Sequence, residues 1–239
     1  MAGGVREYFR ELDEIFNRGL TPVVKWLFYC SIVAFILSLI APIWTTYYFG
    51  ASASRAIYRG WVWQLFTYAL LHQNFSHLLF NLIPVYFFGV RLEQRWGMAT
   101  FLRFVVIVAA GAVLTHLLVT IILMKPGLTI IGMSGVVYGI LFAYAYYYPN
   151  DVVLLYFVLP IKVKHLVAIL GVLTFLASTP LGGDGNVAHL THLGGLLFGF
   201  LYVRFPRFFD WIQLPRLRRK PRAGRKRGPQ QYMGDGRWE

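Results

Sequence analysis

Charge is confined to short intervals along this chain. No Asp, Glu, Lys or Arg falls within residues 26–54, 60–90, 104–124, 126–150, 165–183 or 185–203. A helix needs about 20 apolar residues to cross a hydrocarbon core of roughly 30 Å. A segment crossing lipid must also close its backbone hydrogen bonds within itself, which here leaves the helix. The pattern predicts six spanning helices, near residues 24–44, 75–91, 99–124, 133–148, 164–179 and 187–204. The fold class that follows is all-α: a polytopic membrane protein with a six-helix bundle. Val152–Pro160 is also apolar but too short to cross, so it is expected at an interface or as an extension of the fifth helix.

Composition agrees with the pattern. Of 239 residues, 57% are hydrophobic and 14% charged, against about 25% charged in a typical soluble domain. Twenty of the 33 charged residues lie in 1–22 and 205–239. This excludes a disordered chain and an ordinary soluble enzyme. The apolar middle also offers no basic face to a nucleic acid. Three regions are expected: a cytoplasmic N-terminal segment 1–22, a membrane core 23–204 and a basic cytoplasmic tail 205–239.

The net charge of +13 gives orientation. With the N-terminus inside, the inner segments hold Arg91, Arg95, Arg103, Lys162, Lys164 and the tail, whereas the outer loops hold Arg55, Arg59 and Lys125. The positive-inside rule therefore puts both termini in the cytoplasm. Eight basic residues and no acid between Arg216 and Arg227 suit an anchor on anionic lipid. The outer segment 45–74, with Trp61, Trp63, Phe66 and Tyr68, suits the membrane interface. The single cysteine, Cys30, excludes an intrachain disulfide and a cysteine metal cage.

Polar groups inside a span are costly and mark function. They gather in three places. His77 and Asn81, four apart on one helical face, enter the second span just after His72. Ser134, flanked by Gly132 and Gly135, opens the fourth span, with Tyr138 one turn below it. At about 16 residues that span is roughly 24 Å long and too short to reach both surfaces. Its serine end should be submerged, where free backbone N–H groups favour an anion. In the sixth span, His192, Gly195 and Gly199 share a face, as do Gly135 and Gly139 in the fourth, and such stripes let helices approach closely.

Two chemistries compete for these residues. Four histidines, His72, His77, His189 and His192, could ligate a metal. That reading leaves Ser134 idle, and the HExxH pair of membrane metalloproteases is missing. In the other reading His192 is the general base for a Ser134 nucleophile. Asn81, His77 and backbone N–H groups then stabilise the oxyanion. No Asp or Glu lies in an outer half-helix, so the site is a dyad and not a triad.

These residues resemble the rhomboid intramembrane serine proteases. Gly132-Met133-Ser134-Gly135 is similar to their GxSG motif, and His72, His77 and Asn81 to their HxxxxHxxxN pattern. His192, Gly195 and Gly199 resemble their HxxGxxxG pattern, and Glu93 with Gly97 their ExxxG turn. The resemblance covers roughly residues 24–204. It implies a catalytic Ser134 and His192 in a water-filled cavity open to the outside, with Tyr138 stacked on His192. It also implies an oxyanion site of Asn81, His77 and the Ser134 N–H, and single-span membrane proteins as substrates. Helix 5 and the outer loops would form a lateral gate. No metal or organic cofactor is implied. The expected location is the cell membrane of a prokaryote. Many relatives carry Trp-Arg where this chain has Trp63-Gln64, so the first outer loop is expected to be tethered differently. The rival readings are a rhomboid-like protein that binds membrane clients without cutting them, and a small transporter. The transporter reading is weakened because the chain shows no matching halves.

Overall fold

A computed structural model describes residues 19–155, 158–179 and 186–209, with the pairs 232–233 and 237–238. Most of segment 1–22, the basic run 216–227 and the loop carrying Asp184 lie outside the described residues.

The first predicted span is two helices. Helix α1 is Pro22–Ile40 and α2 is Pro42–Phe49. Ala41 between them has φ −136° and ψ 66°, because a residue before proline is pushed out of the helical region. Helix α3 runs Phe75–Trp96. Pro84 in its middle has no N–H to give, and the turn after it, Val85–Gly89, widens to a π-helix. Helix α4 is Met98–Ile122 and α5 is Ser134–Tyr147. Helix α6 is Val163–Ser178 and α7 is Asn186–Arg204. Among the described residues three helices, α1, α3 and α4, are each long and apolar enough to cross a membrane.

The run after α5 is not an extension of the fifth predicted helix. It is neither helical nor irregular but an antiparallel hairpin, β1 Val152–Leu155 and β2 Leu159–Lys162. Its β-branched residues favour extended backbone, and β2 passes directly into α6.

The core follows from small residues. Helix α7 lies against α4 and α5 along a glycine seam. A Cβ added to Gly195 would overlap the Gly135 carbonyl oxygen, and one on Gly199 would stand 2.9 Å from Gly139 Cα. On the other side of α5, a Cβ at Gly135 would sit 2.7 Å from Ala112 Cβ. Around the seam Phe101, Phe104, Val108, Val136 and Ile140 are fully buried. The outer helices differ. Trp26, Ile36, Leu39 and Ile40 of α1 are at least half exposed, and so are Val172, Leu173 and Phe175 of α6. Such an apolar belt is stable in lipid and not in water. The chain is therefore an all-α, polytopic integral membrane protein.

Glu93 explains how α1 and α3 are held together. Its carboxylate is buried and accepts the Val23 N–H at 3.0 Å, the Val24 N–H at 3.1 Å and the Thr21 hydroxyl at 2.5 Å. It thus satisfies free N–H groups at the start of a helix remote in sequence, where a negative charge is favoured. Four residues on, Gly97 ends α3 at φ +81°, a conformation that suits glycine, and starts α4. The Glu93–Gly97 spacing is therefore a cap and a turn.

Candidate active site

Ser134 is placed by the loop that precedes it. That loop is fixed at three points. Ala51 and Ile130 exchange backbone hydrogen bonds of 3.0 and 2.9 Å. The buried His116 ring of α4 bonds the Leu128 carbonyl oxygen at 3.1 Å. The Gly132 N–H donates to the Tyr68 carbonyl oxygen at 2.9 Å. Gly132 has φ +114°, and a Cβ there would lie 2.7 Å from His77 Nε2. Its glycine identity is thus required twice, by the backbone turn and by the imidazole against it.

Helix α5 then begins at Ser134. Its 14 residues give about 21 Å at 1.5 Å each, short of a hydrocarbon core of roughly 30 Å. Its first N–H groups have no partners within the helix.

Across the seam, Ser134 Oγ lies 2.7 Å from His192 Nε2. Tyr138 stacks on the His192 ring, centroids 4.7 Å apart and planes 7° from parallel. The Tyr138 hydroxyl is tied in turn to Thr174 Oγ1 of α6 at 2.9 Å. His192 Nδ1 is buried with no hydrogen-bond partner among the described residues. His189 lies edge-on to His192 at 6.0 Å.

The third group stands at the start of α3. Asn74 caps the helix by accepting the His77 N–H at 2.8 Å, which fixes the first turn. Asn81 is buried, and its amide donates to the His77 carbonyl oxygen at 2.8 Å. His72 and His77 meet edge to face at 5.1 Å. Beside them is a cavity of about 420 Å³ whose lining includes His72, Gln73, His77, Ser38 and Thr46. The arrangement therefore brings Ser134, His192 and Tyr138 into contact and sets His77 against Gly132. Asn81 sits one turn below His77 on the same face.

Sequence reasoning missed several positioning groups. Tyr68, expected at the interface with the outer aromatics, is buried, and its hydroxyl donates to the Ala109 carbonyl oxygen at 2.9 Å. Nothing in its local sequence separates it from Trp61 or Phe66. Thr174 looks like any small polar residue in an apolar helix. Gln64 does carry a signal, since it is the position noted as departing from Trp-Arg. It is fully buried and donates to the Tyr47 and Tyr48 carbonyl oxygens at 3.2 and 3.1 Å. Trp63 donates to the same Tyr48 oxygen at 2.9 Å. The loop is thus pinned to α2 by the amide of Gln64 and the indole of Trp63.

These features define an integral membrane protein with a hydrogen-bonded serine and histidine at the start of a short helix. The Rhomboid domain family model matches residues 59–206, more than half of the chain, and the chain belongs to the rhomboid family. RHOMBOID-like protein 1 of Arabidopsis thaliana is 27% identical over 187 residues, covering 75% of this chain and 45% of that protein. The Bacillus subtilis (strain 168) rhomboid protein YdcA is 28% identical over 183 residues, covering 71% of this chain and 85% of that one. Rhomboid protein 1, mitochondrial, of Saccharomyces cerevisiae is 30% identical over 161 residues, covering 66% and 45%. The chain thus spans less than half the length of its plant and yeast relatives.

Proposed function

We propose that the protein is an intramembrane serine endopeptidase that cuts single-span membrane proteins with a Ser134–His192 dyad. The observation that carries this is the 2.7 Å contact between Ser134 Oγ and His192 Nε2 at the start of α5. Family membership supports rhomboid protease activity in general.

The chemistry follows from the atoms. His192 Nε2, unprotonated, takes the hydroxyl proton as Ser134 Oγ attacks the scissile carbonyl carbon. Negative charge then develops on the carbonyl oxygen. The Ser134 N–H, Asn81 and His77 are the donors assigned to it. The imidazolium returns its proton to the leaving amine, which frees one product and leaves an acyl-serine ester. A water, deprotonated by the same imidazole, hydrolyses that ester. The Tyr138 stack holds the imidazole plane through both transfers.

A peptide bond in an intact helix hides its carbonyl from a nucleophile, so substrates are segments that unwind easily near the outer face. In this reading six helices span a prokaryotic cell membrane, both termini are cytoplasmic and the basic tail lies on anionic lipid. The reaction uses no metal or organic cofactor.

The deciding experiment is labelling with a fluorophosphonate probe in detergent or vesicles. The wild type is expected to be labelled at Ser134, with or without prior chelation, and Ser134→Ala to remain unlabelled. A folded wild type that resists the probe and leaves a helix-destabilised substrate intact would favour a client-binding protein. Loss of labelling on chelation would favour a metal site.

A further inference from the structure

The β1–β2 hairpin lies at the end of the bundle remote from Ser134, between the last residues of α5 and the first of α6. Its register pairs Val152 with Lys162 and Leu154 with Pro160. Cross-strand partners share a face of a hairpin, so these four residues form one surface. Val152 and Leu154 are 58% and 59% exposed, and Pro160 and Lys162 are exposed beside them. The alternate residue Val153 turns the other way and packs on the core, and Ile161 opposite it is half-buried. The hairpin therefore rests on the protein through Val153 and Ile161, whereas Val152, Leu154 and Pro160, with Lys162 beside them, stand exposed, as does Leu159 next to the turn. An isolated two-stranded hairpin is marginal in water.

Two observations identify the cover. Val163 is buried and seats the start of α6 on the core, but the exposed positions run on from Lys162 to Lys164 and His165 and then to the apolar belt of Ile169, Val172, Leu173 and Leu176 on α6. The charges that border the hairpin face on the α6 side are basic: Lys162 and Lys164, both exposed, without an acid between them. Asp151, the acid at the root of β1, is occupied by Arg91 and by the Tyr144 hydroxyl. Tyr146, in the last turn of α5 just before the hairpin, is 51% exposed, and tyrosine is enriched at membrane interfaces.

We infer that the outward face of the β1–β2 hairpin is a membrane-docking surface. Val152, Leu154 and Pro160 lie among the acyl chains just below the headgroups, and Lys162 and Lys164 rest on anionic headgroups. The hairpin anchors one end of α6, because no linker separates β2 from the helix. At the same root, the Arg91–Asp151 ion pair and the Tyr144 hydroxyl tie β1 to α3 and α5. The two tethers together fix the depth of that end of α6. The inference depends on the membrane setting and not on the proteolytic reading.

The test uses the full chain with its one cysteine replaced, Cys30→Ser, and with Leu154→Cys or Val158→Cys labelled by an environment-sensitive fluorophore. The chain is reconstituted in phosphatidylcholine vesicles with and without phosphatidylglycerol. The expected result is blue-shifted emission, quenched by lipid-borne doxyl groups near the headgroups and shielded from aqueous iodide. Phosphatidylglycerol should deepen the quenching, and Lys162→Gln with Lys164→Gln should remove that increment. Water-like emission with full iodide access in both lipids would overturn the assignment. So would shielding that grows with protein concentration in detergent but is insensitive to doxyl lipid, which would identify a second copy of the chain as the cover. Neither readout requires catalysis, so an inactive protein would leave the result intact.

Discussion

At its Ser134 end, helix α5 meets glycine, two imidazoles and free backbone N–H groups, with no charged side chain among the residues brought together there. At its Tyr147 end it meets a closed charged cluster. Arg91 donates to the Tyr144 hydroxyl at 2.7 Å, that hydroxyl donates to Asp151 at 2.8 Å, and Arg91 and Asp151 form an ion pair. The Arg91 guanidinium also lies 4.1 Å from the Tyr148 ring centroid. One end leaves hydrogen-bonding capacity available and the other consumes it. Reactivity needs the first arrangement, because a group already fully bonded has little left for a transition state. Stable anchoring needs the second.

Substitutions can break or sharpen this contrast. The largest effect is expected at the nucleophile: Ser134→Ala should abolish cleavage of a model substrate, with unchanged expression and thermal unfolding. Residual turnover at the wild-type rate would remove Ser134 from the reaction. Next, Asn81→Ala should lower kcat on the order of 10²–10³-fold, as loss of one oxyanion donor does. Since Asn81 also bonds its own helix, unfolding should be followed in parallel, and full activity would exclude it from the site.

A smaller effect is expected one step out. Thr174→Val removes the partner of Tyr138 and should lower kcat about 2- to 10-fold, the worth of one net hydrogen bond of about 0.5–1.5 kcal/mol. The stack on His192 should survive it, so Tyr138→Phe should give a similar loss and Tyr138→Ala a greater one. At the far end, Asp151→Asn breaks an ion pair whose side chains are 49% and 35% exposed. Solvent screens such a pair, so the loss should be under about 1 kcal/mol in unfolding free energy, with kcat unchanged. A kcat change there as large as that of Asn81→Ala would show that the two ends are coupled and that the contrast is false.

The seam explains why the sequence was informative about the reactive end. Gly135, Gly139, Gly195 and Gly199 are spaced by four, a periodicity visible without coordinates. Only residues without a Cβ allow α5 and α7 to approach closely enough for a serine to meet a histidine 58 residues away. Their motif spacing therefore carried three-dimensional information. The hairpin shows the opposite case. Its residues are apolar and partly β-branched, and a short run of that kind reads equally as a helix extension or an interfacial segment of unassigned structure. Pairing across a turn decided it, and pairing is not a local property.

From sequence alone come the membrane setting, the places of the main helices, and the three polar groups on the second, fourth and sixth predicted spans. Lipid makes each of these legible, since it penalises every polar residue without a purpose. The tertiary structure decided the rest: the break at Ala41, the π-turn after Pro84, the cap that Glu93 gives to α1, the burial of Tyr68 and the bond from Tyr138 to Thr174. Each depends on which groups meet across distances of tens of residues. A one-dimensional pattern records the tendency of a residue to be buried or helical, and not which partner satisfies it.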